Sequence, residues 1–344
     1  MAKKVVTFGE IMLRLQTYNH ERFIQMRGLE ATFGGGEANV AVSCANYGLN
    51  ACFVTKLPEN PIGDACIAEL RKHNVCTKRI ARGGERVGIY YCEKGASQRP
   101  SNVVYDRAHS SIATADKSDF NWDEIFDGAD WFHFTGITPA LGDGIAEICL
   151  EACKAAKAKN VIISCDLNFR KKLWTSEKAG KVMGELMKYV DVCIANEEDA
   201  EKVFGIHAAN TDVTGGKISD EGYKDVARQL VDRFGFSHVA ITLRESISAS
   251  ENDWSALLYD AKADSFFKSK KYHMMIVDRV GGGDSFGGGL IYSMLQGFDG
   301  QKAIEFAVAA YCLKHTIDGD MNLVTVKEVE NLMGGDGSGR VQRE

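Results

Sequence analysis

Excess positive charge is what this chain most plainly lacks. Its 41 Lys and Arg are outnumbered by 47 Asp and Glu, for a net charge of −6 at pH 7. That leaves no electrostatic footprint for nucleic acid or for an anionic membrane surface. No apolar run reaches the roughly 18 residues of a membrane-spanning helix. The start, Met1-Ala2-Lys3-Lys4-Val5, leads directly into a strand pattern, so no signal peptide is expected. Among 10 cysteines there is no Cys-x-x-Cys pair, and the 8 histidines show no metal-ligand spacing. The cysteines read as reduced core residues of a cytoplasmic protein, and His133, between Phe132 and Phe134, as a core histidine. No Gly-Lys-Ser/Thr sequence occurs, which excludes a P-loop, and the glycines at 34–36 lack the third glycine of a dinucleotide fingerprint.

What is present is an ordinary globular composition, 45% apolar and 26% charged over 344 residues. From Trp131 onward, short apolar strands alternate with amphipathic helices, which implies right-handed crossovers and a mostly parallel sheet. Earlier, Val87–Cys92 and Val103–Arg107 read as two strands with no long helix between them, and 12–32 is irregular. These segments suggest a small sheet outside the main fold, serving as a lid. Tyr90, Tyr105 and Arg107 lie in it, either to close over a polar ligand or as decoration of an exposed strand. The expected organisation is one α/β domain over 1–333, with lid strands inserted at about 12–33 and 85–110 and a disordered glycine-rich tail at 334–344.

The stretch with most chemistry is Asp278-Arg279-Val280-Gly281-Gly282-Gly283-Asp284-Ser285-Phe286. Met274–Val277 reads as a short buried strand, and Phe286, Leu290 and Met294 share one helical face. Glycines 281–283 can aim backbone N–H groups at one point, and the helix dipole adds partial positive charge, which makes an anion site. Asp284 at its mouth would repel phosphate, so it fits a general base that deprotonates an attacking alcohol. A plain glycine turn with an aspartate cap is the bland alternative. Gly283-Asp284-Ser285-Phe286-Gly287 also matches a nucleophile elbow, but residues 279–283 intervene before the serine and only His315 follows it.

Asp166, Asn196 and Thr242 each follow a strand pattern, so a parallel sheet would bring them to the same rim as the glycine loop. In Asp166-Leu167-Asn168-Phe169-Arg170 the polar residues alternate with apolar ones, and Arg170 suits a carboxylate or phosphate. Asn196 and Asp199 could hold magnesium through water, or act as helix N-terminal partners. Gly34-Gly35-Gly36-Glu37-Ala38-Asn39 opens another helix, where Asn39 offers a donor and an acceptor.

Gly34-Gly35 followed by Asn39 and Ala41, together with Asp278–Asp284, resembles the two signatures of the PfkB family of ribokinase-like sugar kinases. The resemblance covers nearly the whole chain. It implies a three-layer sandwich with a small β-sheet lid, Asp284 as the base, and Gly281, Gly282 and Gly283 as the anion hole. Within the family the chain looks most like 2-keto-3-deoxygluconate kinases, through Gly34, Tyr90, Tyr105-Asp106-Arg107-Ala108, 166–170 and Lys314-His315-Thr316 leading to Gly319-Asp320. By that resemblance Gly34, Gly35, Asn39, Tyr90, Tyr105, Arg107, Arg170 and Asp320 bind a sugar acid. Asn196, Thr242, Arg244, Gly281 and Gly283 bind ATP, and Asn196 and Asp199 hold Mg²⁺ through water. A monovalent cation is a further open expectation, as is a homodimer or higher homo-oligomer through the lid. A neutral-sugar kinase and a non-catalytic sugar sensor stay open as alternatives. The chain departs from the family pattern at Arg279, usually a small residue, at Thr242–Ser246, which lacks glycines, and at Asp199, usually glutamate.

Overall fold

Alternation along the first strand sets the layers. In β1 (Lys4–Phe8), Val5 faces one apolar core while Val6 and Phe8 face another, all fully buried. A strand buried on both sides belongs inside a parallel sheet covered by helices. The structure, a computed structural model, describes residues 2–208 and 220–339. Most of the polar loop expected at 205–219 and the end of the expected tail, 340–344, lie outside the described residues.

β2 (Met12–Gln16), β3 (Glu30–Gly34) and α1 (Gly36–Asn46) follow, then β4 (Asn50–Val54), β5 (Lys56–Leu57), α2 (Pro61–Lys72) and β6 (Ala81–Arg82). Next come β7 (Gly88–Glu93), β8 (Asn102–Asp106), α3 (Trp122–Ile125), β9 (Trp131–Thr135) and α4 (Asp143–Ala158). The rhythm continues through β10 (Ile162–Asp166), α5 (Ser176–Leu186), β11 (Val192–Ala195), α6 (Glu197–Phe204) and α7 (Asp220–Phe234). β12 (His238–Ser246), β13 (Glu251–Asp260), β14 (Ser265–Lys268) and β15 (Tyr272–Met275) precede α8 (Gly282–Leu295), α9 (Gly300–Lys314) and α10 (Val326–Met333).

The central sheet runs β14-β13-β12-β11-β10-β9-β1-β4, parallel from β12 to β4, with β15 paired to β13. Val40, Leu290 and Ile304 bring α1, α8 and α9 onto one face; Ile148, Met183 and Val226 bring α4, α5 and α7 onto the other. This is the three-layer sandwich. All ten cysteines are free thiols; nine are buried, eight of them in the sandwich and Cys92 in β7 of the second sheet. Among the described residues no helix is long and apolar enough to cross a membrane.

The strand before the glycines differs from its expected form. Met275 and Val277 are exposed and only Met274 is buried, because β15 is an edge strand, antiparallel to β13. β13 is itself antiparallel to β12, so two reversals bring the end of β15 to the same rim as the ends of β10 and β11. β12 also runs past Thr242 to Ser246, so Thr242 lies within a strand rather than after one. The β12–β13 turn overhangs the sheet.

The second sheet, β3-β2-β7-β8, sits apart. In its register Arg14, Tyr90 and Tyr105 form one rung across three strands and therefore share a face. At its far corner Ser97 pairs with the overhanging turn, through Ala249 N–H to Ser97 O at 2.7 Å and Ser97 N–H to Ser250 Oγ at 2.9 Å. At its base the Arg14 guanidinium, fully buried, donates to Asp278 Oδ2 and to Asp320 Oδ1, both at 2.6 Å. Burial alone would lower the Arg14 pKa, but Asp320, Tyr90 and Asp278 more than offset that and hold it above the ordinary value. Removing one member of such a cluster strands the others, which costs about 3–5 kcal/mol. Arg14→Met is therefore expected to lose stability of that order in urea unfolding. A loss under about 1 kcal/mol would show that the cluster does not hold the sheet down.

Candidate active site

The second sheet roofs a cavity of about 470 Å³ at the rim of the central sheet. Its wall includes the N-terminus of α8. Gly281 sits at φ 82°, in the left-handed region, and a Cβ there would lie 1.9 Å from the Asp320 carbonyl oxygen. Only glycine meets both demands. The helix begins at Gly282 rather than at Phe286, so the expected loop is partly the first turn of the helix itself. Ser285 N–H makes the first helical bond, to Gly281 O, which leaves the N–H groups of Gly282, Gly283 and Asp284 without helical partners. Gly283 is exposed, with nothing within 4 Å of where a Cβ would be. An anion can approach the backbone there.

Asp284, in the same turn, accepts a hydrogen bond from Asn39 Nδ2 at 2.7 Å. Burial, then the nearby Glu37 and Asp320, push its pKa up to about 7, against the Asn39 bond and Arg170. A carboxylate poised near neutrality, beside donors for an anion, can take a proton from an alcohol. Glu37 is buried, and its Oε1 accepts from Thr135 N–H, Thr135 Oγ1 and Thr138 Oγ1 at 3.0, 2.7 and 2.6 Å. Burial nonetheless raises its pKa.

Gly35, Asn39, Tyr90, Tyr105, Arg107, Arg170, Asn196, Asp199, Thr242, Arg244, Asp320 and the 281–284 run all line this one cavity. Gly34 does not. It ends β3 against Asp320, whose Oδ2 would be 2.1 Å from a Cβ at Gly34, so it makes room for that carboxylate. Asp320 accepts from Tyr90 Oη at 2.6 Å as well as from Arg14. Arg107 donates through Nε to Glu10 Oε2 at 2.7 Å and lies over the Tyr105 ring, 5.3 Å from its centroid. Its charge is already matched. Arg170 is exposed, and among the described residues its side chain has no ion-pair partner and donates only to the Phe169 carbonyl, at 3.3 Å.

The residues expected near a metal also have structural partners. Asn196 caps α6, its Oδ1 accepting from Asp199 N–H at 2.7 Å, so that oxygen already has a partner. Asp199 Oδ1 accepts from Phe169 N–H at 3.1 Å. Asp166 is the better acidic candidate. Burial, then Asp199 and Asp284, raise its pKa well above the ordinary carboxylate value. Among the described residues no three acids, cysteines or histidines gather closely enough to hold a metal by themselves, so a divalent cation here would keep several waters. The segment after Asp166 is not extended, since Asn168 has φ 38° and its N–H bonds Asp166 Oδ1 at 3.1 Å.

Arg279, the odd residue in the glycine motif, donates through Nη2 to Ser248 O at 3.0 Å and Ala249 O at 3.3 Å, tying the glycine run to the overhanging turn. Burial and the nearby Arg244 lower its pKa. Two cations that repel each other across a cavity wall favour an anion between them. Glu10, Glu37 and Arg279 line the cavity without having been expected there, and Arg14 lies behind it. A larger groove of about 1260 Å³ adjoins on the open side, sharing Tyr105, Arg107 and Arg170 and adding Lys171, Lys172 and Lys202.

Comparison with known proteins gives a consistent picture. The pfkB family carbohydrate kinase model matches residues 2–325. A 2-dehydro-3-deoxygalactonokinase of Haloferax volcanii is 32% identical over 339 residues, 98% of this chain and 99% of its own. The crystal structure of 2-dehydro-3-deoxygluconokinase from Thermotoga maritima superposes with a TM-score of 0.93 at 53% identity, over 97% of this chain and 99% of that one. A PfkB family carbohydrate kinase from Listeria grayi gives 0.89 at 34% identity, over 96% and 100%.

The raised pKa of Asp284 has a consequence for stability. A carboxyl that binds its proton more tightly in the folded chain than at the unfolded value of about 4 contributes fully below that pH. The contribution fades as pH climbs toward about 7 and is gone above it. Asp284→Asn is expected to melt above wild type near pH ~8, and the gap to close near pH ~4. Equal gaps at both values would contradict a buried, proton-holding Asp284.

Proposed function

The chain belongs to the pfkB family of carbohydrate kinases, and from that premise we propose that it phosphorylates the 6-hydroxyl of 2-keto-3-deoxygluconate at the expense of ATP. Asp284 accepts the hydroxyl proton as the sugar oxygen attacks the γ-phosphorus and the bond to the ADP oxygen breaks. The N–H groups of Gly282 and Gly283 hold charge developing on the transferred group. Arg244 and Arg279 flank the phosphates. Asp166 and Asp199, the latter through water, would hold Mg²⁺, whose charge neutralises the phosphate oxygens.

Arg170 carries the choice of substrate. An arginine without a carboxylate partner, in the same cavity as the base, supports an acid substrate over a neutral sugar. Arg107, expected to share the grip, is matched by Glu10 and fits better as a prop for Tyr105. The Haloferax relative favours a second reading, the C4 epimer 2-keto-3-deoxygalactonate, which presents the same carboxylate. A sensor without catalysis would have no need of a poised base.

ADP production over a panel of both epimers, fructose and ribose is the deciding measurement. Turnover on a neutral ketose with none on either acid would refute the proposal. Asp284→Asn should lower kcat by about 10²-fold or more with KM for ATP nearly unchanged, and wild-type kcat/KM should rise with pH through about 7. Arg170→Ala should raise KM for acids far more than for neutral sugars, whereas equal losses would remove the carboxylate assignment.

A further inference from the structure

Lys314 is the last residue of α9 and is completely buried. Its Nζ has no carboxylate in contact. Instead it donates to three main-chain carbonyls, of Asp278 at 3.2 Å, Ile317 at 3.4 Å and Gly319 at 2.6 Å. Burial lowers the Lys314 pKa and the nearby Asp278 and Asp320 work against that, while three carbonyl acceptors match the three N–H donors of the ammonium form. Carbonyl oxygens around a buried univalent cation are also the coordination that K⁺ takes in proteins. The cage joins two segments that meet behind the α8 N-terminus: 278–281, which leads into the helix, and 317–320, whose Asp320 carbonyl lies against Gly281. Nearby, the Arg14 cation faces Asp278 and Asp320, so Lys314 makes the second positive charge against two acids.

We infer that Lys314 is a positioning residue acting as a built-in monovalent cation, clamping 278–281 to 317–320 so that the N–H groups of Gly282 and Gly283 are held for phosphoryl transfer without K⁺. This rests on the reading of Gly281–Asp284 as the phosphoryl-binding end of the site. On this inference the charge of the monovalent cation expected from the resemblance is supplied by the chain itself. The burial cost of a lysine is then borne at the point where ordered backbone matters most.

The test compares wild type, Lys314→Met and Lys314→Ala in buffers whose monovalent cation is tetramethylammonium, K⁺ or NH₄⁺. Wild-type kcat is expected to be the same in all three. Lys314→Met should lose about 10²-fold in kcat, the effect of a small misplacement at the reacting centre. Lys314→Ala should lose as much in tetramethylammonium and regain about tenfold or more in K⁺ or NH₄⁺, which fit the vacated cage. A second readout needs no sugar: K⁺ should raise the thermal midpoint of Lys314→Ala and leave wild type unmoved. That midpoint response separates the inference from the substrate reading, since it holds even if no sugar in the panel is turned over. A wild type activated or stabilised by K⁺ would overturn it, and so would a folded Lys314→Met with full turnover. If the variants do not fold, the wild-type response to K⁺ decides alone.

Discussion

A charge taken out of water must find its partner or destabilise the fold, and this chain uses that constraint to fix its geometry. Arg14 comes from the second sheet, Asp278 from the run before α8, and Asp320 from the segment after α9. Each needs the others in place. Tyr90 adds its hydroxyl to Asp320, and the main chain of Asp320 seats Gly281. The position of a few backbone N–H groups at one helix end thus traces back to an ion cluster of which only Asp320 reaches the cavity wall.

Within the cavity, burial sorts the charges. The acids Asp166, Asp199, Asp284 and Glu37 are buried or half-buried, while Arg170 and Arg244 are exposed. Desolvation raises the pKa values of Asp166, Glu37 and Asp284, and repulsion from neighbouring acids adds to it at Asp166 and Asp284. Of these, Asp284, held near neutrality, is the one set beside N–H groups without helical partners. One set of environments therefore supplies an acid-rich interior for cations and a base, and an arginine-bearing margin for anions.

The β/α rhythm, the glycine run, Asp284 and the rim residues were legible in the sequence because each is a local pattern: periodicity, or a polar residue at a strand end. Arg14 and Lys314 were not. Arg14 meets its partners 264 and 306 positions away, and on an alternating strand it looks like any solvent-facing residue. For Asn196 a cap and a ligand look alike in one dimension, and the structure shows the cap. Gly34 was placed with the substrate, yet it serves Asp320. The antiparallel edge position of β15 was hidden because a four-residue apolar run carries no record of how many neighbours it has. Arg279 stood out correctly as anomalous, and the overhanging turn it grips explains it.

The contacts of Ser97 with Ala249 and Ser250 mean that the second sheet is fastened at its tip as well as at its base. To swing away as a door would, this cover would have to break its contacts at both ends. The flank without such contacts is where the cavity opens into the groove bearing Arg170, Lys171, Lys172 and Lys202. Anything arriving by that portal passes a cationic threshold before it meets the carboxylates inside, so screening by charge begins in the corridor and not at the reacting atoms.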